Sequence, residues 1–488
     1  MKILIVGSEP YGIAGVPNYN RSLALKFVEL GHEVFFFFSG AWFKKYNWLM
    51  RPYLKINRKD YPFEYAELVN SPSLVFNWGH PLLDISAPQT EKLFIKYLKR
   101  IKPDVLHGHS KCGLPASIFE LASRQGIKAF YTIHEYGLIC QKNVMIDREG
   151  KLCSGPSNLE KCVACTEPLN LKKIKFVARM ANINKDFLKL LVDIKRKLIR
   201  EKKGKDLMLS EPSLISDTAS KKIKEELKKR LDYMIYLMNH FIDMNICVSN
   251  DVKRILMRYG VNEDKLLVQH IGSAIAENQR RDIRQLHSPL VIGNIGGVGY
   301  YKGQHILLDA ISRMKNKNFV VKIFGKYEQN YVDQMTKEKK KLPVEFLGKY
   351  KPEELPDILQ QIDVMVLPSI CNDTAPQTIF ESFSAGIPII ASNIGGFPDF
   401  IKDGINGYLF RPGDSHDLAN KLEEILSDTA KIRSFAEKIP RLKTITKNAL
   451  ELISLYENSI INHNQSTFSA LRKQVNESVK PLEESSKL

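Results

Sequence analysis

Four short apolar runs, KILIVG (2–7), HEVFFFF (32–38), DVLHGH (104–109) and AFYTIH (129–134), punctuate the first 140 residues, with helix-periodic stretches between them. These runs lack the polar alternation of a half-exposed strand, so they predict strands buried on both faces. Such strands alternating with helices predict a parallel, doubly wound sheet. The stretch NYNRSLALKFVELG places Leu23, Phe27 and Leu30 on one helical face and ends at Gly31. A second set begins at PLVIGNIGG (289–297) and continues through VVKIFG (320–325), VEFLG (344–348), DVMVLPS (363–369) and GIPIIAS (386–392). The polar stretch AENQRRDIRQLHSP (276–289) separates the two sets.

The expected fold class is therefore α/β, with two facing doubly wound Rossmann-like domains and a cleft between them. At 488 residues the chain is too long for one core, which agrees. The expected division is 1–280, 281–445, a C-terminal helix over 446–462 and a disordered tail over 463–488, rich in Ser, Glu, Lys, Gln and Asn. In sheets of this kind ligands bind outside the carboxyl ends of the strands. Residues that follow strands are thus the place to look for chemistry.

Hydrophobic residues make up 44% of the chain and charged ones 26%, the balance of a globular protein. No apolar run approaches the ~18 residues of a membrane span, and the opening run reads as a buried first strand rather than a signal peptide. The cytoplasm is the expected location. The net charge of +18 is concentrated: residues 172–230 hold 19 Lys and Arg against 8 Asp and Glu.

Two stretches carry the chemistry. In GGVGYYKG, Gly296, Gly297 and Gly299 precede Lys302 and Gly303, and QHILLDAI follows as a helix. Glycines at a strand-to-helix turn let backbone amides approach an anion, and a lysine adds full charge, so the loop is a candidate diphosphate site. An ordinary turn with a solvated lysine would hold the same residues. In SICNDTAPQTIFES, Asp373 lies in the loop after a strand, while Glu381 falls in the first turn of a helix beginning near Thr378. Two such acids can accept hydrogen bonds from different hydroxyls of one ligand. They can equally be a helix cap and a solvated helical residue.

The run SICNDTAPQTIFESFSAGIPIIASNIGGFPDFIKDGINGYLFRPGD resembles the signature of retaining GT-B glycosyltransferases of family four, the glycosyl transferases group 1. Its elements are an acid, seven residues and a glutamate, then a small residue with Gly-x-Pro, then Gly-Gly-x-Pro and Asn-Gly. GIAGVPNYNRSLALKFVELGHEV is similar to that family's N-terminal glycine loop and helix. DVLHGHS and TIHEYG resemble its two histidine strand ends.

The resemblance implies a nucleotide-sugar-binding domain at 281–445 and an acceptor-binding domain at 1–280. It implies Glu381 on the nucleotide ribose and Asp373 on hydroxyls of the donor sugar. Lys302 and Gly303, with Gly297, Thr378 and the Gly15 amides across the cleft, would hold the diphosphate. His134 would sit at the transferred sugar, with His109 and Glu135 towards the acceptor, although buried strand-end histidines would read the same. No metal or other cofactor is expected for catalysis, and no Asp-x-Asp stretch occurs.

The implied activity is retaining hexosyl transfer from a nucleoside diphosphate sugar to a glycan or lipid-linked acceptor, in the synthesis of a cell-envelope polysaccharide, glycolipid or lipopolysaccharide. Two positions depart from the family: Asp373 stands where glutamate is usual, and Gly297 where an arginine is usual. Another cation is expected in the arginine's place. The rival reading is a catalytically degenerate GT-B scaffold that binds a membrane or partner.

Four of the seven cysteines, Cys140, Cys153, Cys162 and Cys165, fall within a loop over 140–165. The pattern suggests a structural zinc site, with reduced, unliganded thiols as the alternative. A basic helical insert follows over 170–240. Within it, Leu171, Ile174, Val177 and Met180 begin an apolar stripe through 171–205, among 13 Lys and Arg and 3 acids. Together with AWFKKYNWLMRPYLK (41–55), this suggests attachment to the anionic inner face of a membrane. A solvated basic face is the alternative. Nucleic acid is not an expected partner, because no nucleic-acid motif accompanies the charge.

Overall fold

The computed structural model describes residues 1–12, 14–40, 51–73, 80–166, 217–279, 285–337 and 342–461. The basic stripe of 171–205, residues 41–50 of the aromatic segment and the tail 463–488 lie outside the described residues.

The apolar runs form two sheets. The first contains β1 (Lys2–Gly7), β2 (Glu33–Ser39), β3 (Tyr53–Asn57), β4 (Glu64–Val69), β5 (Val105–Gly108), β6 (Lys128–Ile133), β7 (Met244–Cys247) and β8 (Leu266–Val268). Its order is β3-β4-β2-β1-β5-β6-β7-β8. All neighbours are parallel except the edge pair β3–β4. β3 carries exposed Lys55 and Ile56 and shows none of the apolar density of the other strands, so composition gives no sign of it.

The second sheet contains β9 (Leu290–Ile295), β10 (Phe319–Phe324), β11 (Val344–Gly348), β12 (Val364–Leu367), β13 (Ile389–Ser392) and β14 (Gly407–Phe410), in the order β11-β10-β9-β12-β13-β14. Every pair is parallel. The strand order reverses between β9 and β12, so the loops after these two strands diverge to opposite sides and leave a crevice between them. The glycine loop follows β9, and the Asp373 loop follows β12.

The chain crosses between the sheets twice. The first crossing follows β8; the second returns from a helix over Ala430–Glu437 to a helix over 445–461. At the crossings Ser273 N donates to Lys443 O (3.0 Å) and Ile445 N donates to Ser273 O (3.2 Å). The final helix packs on the first sheet. Tyr456 is fully buried against Phe130 at 4.9 Å between ring centres, and its hydroxyl meets His107 Nδ1. Asn448 Oδ1 of the same helix accepts from Tyr19 Oη (2.7 Å) and from Gly272 N (3.0 Å).

Candidate functional site

The glycine loop is held from beneath by two buried amides. Gln304 begins the helix Gln304–Arg313 and is 1% exposed. Its Nε2 donates to Asn294 Oδ1 (3.1 Å) and to Gly297 O (3.3 Å), and its Oε1 accepts from Gly299 N (3.2 Å). Asn294 in β9 donates in turn to Val366 O of β12 (2.8 Å). The amide pair therefore ties the loop to both strands that flank the crevice. Gly303 takes φ +76°, and a Cβ there would lie 1.8 Å from Pro368 O, so no other residue fits.

Across the crevice, Lys302 Nζ donates to both Asp373 oxygens at 2.9 Å. Ser369 Oγ donates to Asp373 Oδ2 at 2.8 Å. Burial works against the Lys302 charge, but the Asp373 carboxylate outweighs it and the lysine pKa is raised. The Asp373 loop is positioned by the second glycine pair. Gly396 N donates to Asp373 O (2.8 Å), and a Cβ on Gly395, at φ +60°, would lie 2.4 Å from that carbonyl. The Gly-Gly run after β13 is thus a floor on which the Asp373–Thr374 backbone rests.

Lys302, Asp373, Gly297 and Thr378 line one open cavity of about 440 Å³, together with Asn294, Gln304 and Ser369. Lys302 is the one cation among the described residues of that lining. The expected replacement for the family's arginine is not found there. A Cβ on Gly297 would meet nothing within 4 Å, so the place is open.

The helix Gln377–Ser384 begins after Pro376 and ends where Gly386, at φ +71°, turns the chain before Pro388. Glu381 is its fifth residue, so it lies in the second turn and not the first. Burial, rather than the helix dipole, sets its ionisation and lifts its pKa to about 7. No described side chain donates a hydrogen bond to its carboxylate, while Ser384 Oγ donates to its backbone carbonyl at 2.9 Å. Tyr350, just after β11, is near enough that the Glu381 charge, second to burial, helps raise the phenol to about 12.

From the first sheet, helix Gly15–Glu29 points its start at the start of helix Gln377–Ser384: a Cβ on Gly15 would lie 3.0 Å from Gln377 Cγ. His134 follows β6, and its carbonyl accepts from Thr374 Oγ1 at 2.6 Å, one residue from Asp373. His134 Nε2 pairs with His109 Nδ1 at 3.1 Å, and the Tyr19 ring stands edge-on at 5.1 Å. Burial pushes His134 and His107 down to about 3, and His109 well below its ordinary value. All three are neutral, so His134 meets a ligand as a hydrogen-bonding ring and not as a cation.

Glu135 faces inward. It accepts from Ser110 Oγ (3.1 Å) and Asn143 Nδ2 (3.3 Å), and Cys112 Sγ lies 3.6 Å away; burial raises its pKa. The four cysteines of the 140–165 loop line a different cavity, beside helix Asp217–His240.

Ser369, Thr374, Asn294 and Gln304 were not apparent from sequence. Gln304 leaves one trace, an amide side chain opening the helix directly after Gly303.

The ionisation of Glu381 gives a signed expectation. A carboxylate raised above its unfolded value stabilises the fold below that value and loses the contribution as pH rises through about 7. A ligand hydroxyl that donates to this carboxylate prefers the ionised form, so the ligand effect has the opposite sign. Affinity for such a ligand, followed by titration calorimetry, should fall roughly tenfold from about pH 8 to about pH 6. Glu381→Gln should bind weakly with no such slope, and an unchanged slope in that variant would show that Glu381 does not meet the ligand.

Comparison with solved structures places the fold. The chain superposes on the sucrose-phosphate synthase of Thermosynechococcus elongatus with a TM-score of 0.61 at 15% identity, covering 94% of this chain and 99% of that one. It superposes on Anabaena Alr3699/HepE, solved in complex with UDP, with a TM-score of 0.58 at 17% identity, covering 94% and 100%. With the two parallel sheets, this makes the fold GT-B. Among curated proteins, the sulfoquinovosyl transferase SQD2 of Arabidopsis thaliana is 31% identical over 143 residues, 29% of this chain and 27% of that protein. Spore coat protein SA of Bacillus subtilis is 30% identical over 171 residues, 33% of this chain. The chain spans less than half the length of each, 27% and 45%. Residues 276–441, which carry the glycine loop, Lys302, Asp373 and Glu381, match the family model described as glycosyl transferases group 1.

Proposed function

We propose that this chain is a glycosyltransferase that moves a hexose from a nucleoside diphosphate sugar to a glycan or lipid-linked acceptor with retention of configuration, without a metal. The observation that carries the reading is the meeting of Lys302 and Asp373 at the β9/β12 crevice, in a cavity floored by glycine amides. Three helix starts, at Gly15, Gln304 and Gln377, surround that crevice, and each favours negative charge. The diphosphate sits there, with Lys302 holding it and Glu381 accepting from the ribose.

As the glycosidic bond breaks, negative charge grows on the leaving phosphate, and Lys302 with the loop amides stabilises it. Asp373, released from Lys302, accepts from sugar hydroxyls. His134, neutral and half-buried, orients the sugar or the acceptor that enters from the first sheet. Solved relatives of this fold include Alr3699/HepE in complex with UDP and with UDP-glucose, which supports a uridine donor. Acceptors of glycolipid or polysaccharide type fit the names of the sulfoquinovosyl transferase and of the colanic acid glycosyltransferase WcaL of Escherichia coli. The basic stretch 172–230 suits an acceptor met at the anionic cytoplasmic face of a membrane. No described helix is long and apolar enough to cross one.

A thermal-shift screen across UDP-, GDP- and ADP-sugars tests the reading, since a bound donor raises the melting temperature by mass action. One base series should stand out, and transfer should follow with the sugar that shifts most. No shift with any of them would remove it.

The degenerate-scaffold reading draws on Gly297 and on a lysine already neutralised by Asp373. Gly297→Arg separates the two. The site is open, so the variant should fold as the parent does, and one charge-assisted phosphate contact should tighten UDP binding about tenfold. Unchanged binding would mean that no phosphate comes near Gly297.

A further inference from the structure

We propose that Cys140, Cys153, Cys162 and Cys165 form a four-thiolate site for a structural zinc ion. The ion would tie the 140–165 loop into one unit beside the donor crevice.

The four residues come from three separate pieces of chain, yet all line one cavity. Cys140 closes a turn in which its amide donates to Tyr136 O at 2.7 Å. Cys153 follows a small hairpin closed by the antiparallel pair Ile146–Leu152, and its own amide donates to Met145 O (2.9 Å). Cys162 and Cys165 are three apart on helix Leu159–Cys165, so both side chains leave the same helical face. Asn158 caps that helix, accepting from Glu160 N at 3.0 Å and Lys161 N at 3.4 Å.

Gly155 N donates to Cys153 Sγ at 3.3 Å, a backbone hydrogen bond of the kind that supports a thiolate at a metal. As placed, no group of three or more His, Cys, Asp and Glu among the described residues is gathered tightly enough to hold an ion. The thiols stand around the cavity wall, and the ion draws them inward. Four thiols bind Zn²⁺ with release of four protons, leaving the site with two net negative charges. Lys142 and Arg230 line the same cavity and offset them.

The packing of the loop supplies the reason for an ion here. Met145 reaches the main core, but among the described residues the apolar cluster under the second half of the loop holds only Val163, Ile223 and Leu227, with Leu159 and Cys162 at its edge. Polar and steric contacts also fix the loop, and Lys224 Nζ donates to Glu160 Oε1 at 2.7 Å. Tyr259 Oη donates to Ser154 O at 2.7 Å. A Cβ on Gly150 would lie 2.8 Å from Tyr300 Cε1, so the hairpin tip rests on the glycine loop two residues before Lys302. If the proposed function holds, loss of the ion loosens that contact and raises the KM for the donor, leaving kcat less affected.

The test uses the full chain, expressed with zinc in the medium and purified without chelator. Elemental analysis should give one zinc per chain. Exchange with Co²⁺ alone should give the charge-transfer absorption of a tetrahedral thiolate site. Cys162→Ala/Cys165→Ala should lose both signals and melt at a lower temperature. If that variant fails to fold, the wild-type zinc content and cobalt spectrum decide.

Wild-type protein without zinc, and with no thiolate spectrum on adding Co²⁺, would overturn the site. So would zinc retained in the double variant, or the four cysteines found as disulfides by mass spectrometry of the native chain. None of these readouts needs donor or turnover, so a failed donor screen and a failed metal site remain separate results.

Discussion

Asp373→Ala should cost sugar transfer about 10²–10³-fold while leaving binding of UDP alone intact or about tenfold tighter. On the proposed function the two effects separate because Asp373 has two partners in turn. In the structure its carboxylate takes both hydrogen bonds from Lys302, at 2.9 Å each. A diphosphate bound as proposed would draw the lysine away from it. Removing the carboxylate would then free the lysine for phosphate but leave the sugar hydroxyls without their acceptor. Lys302→Ala should behave differently and lower both UDP affinity and transfer. Calorimetry with UDP, beside turnover of the UDP-sugar, reads the contrast. If Asp373→Ala lost nucleotide binding in proportion to transfer, Asp373 would be serving only to shape the loop.

Arg230→Leu should lower stability by about 3–5 kcal/mol, near the top of the range for a single substitution. Arg230 lies in helix Asp217–His240 with a side chain 2% exposed. Its Nε meets Asp84 Oδ2 at 2.5 Å, its Nη1 donates to Ile139 O at 3.2 Å, and its Nη2 reaches Gly137 O. Lys111 shares Asp84 at 3.0 Å and is buried as well. The leucine would take a donor from two carbonyls and one of its cationic partners from Asp84. Replacing Arg230, Asp84 and Lys111 together by apolar residues of similar volume should be milder than the single change, because no charge is then stranded. Denaturant melts of the single and triple variants test this ordering. A single variant within about 1 kcal/mol of the parent would show that water reaches the cluster.

Most of the two sheets could be read from the chain because burial on both faces leaves a plain mark: β1, β2, β9 and β12 are almost wholly apolar. β3 left none, being a half-exposed edge strand that pairs, among the described strands, with β4 alone. The C-terminal helix was visible as a helix but not as part of the first sheet's packing. Its decisive contacts, Tyr456 with His107 and Asn448 with Tyr19, join residues more than 300 positions apart.

At the site, Lys302, Asp373 and Thr378 were each apparent as motif residues and meet in one cavity. The pairing of Lys302 with Asp373, 71 residues on, is a property of strand order and not of either motif. Glu381 was visible as an acid, but the helix begins one residue earlier than the pattern suggests, at Gln377 after Pro376. That places Glu381 beyond the first turn and hands its ionisation to burial. The three histidines illustrate the same limit. His109 and His134 were apparent at strand ends and His107, inside β5, was not; the neutrality of all three follows from packing between Tyr19, Thr132 and Tyr456. Histidines held below their ordinary value destabilise the fold as pH falls from about 6.5 towards about 3, where the unfolded chain binds the more protons.

The paired crossings at Ser273 and Lys443–Ile445 also set a mechanical limit. A single strand between two lobes would let them swing, twist and slide independently. Two strands bridged side by side behave as a door on two pins: rotation about one axis remains easy, while torsion strains both bridging hydrogen bonds. If the proposed function holds, opening and closing of the crevice would follow one path, along which Thr374 would part from His134 and return to the same register.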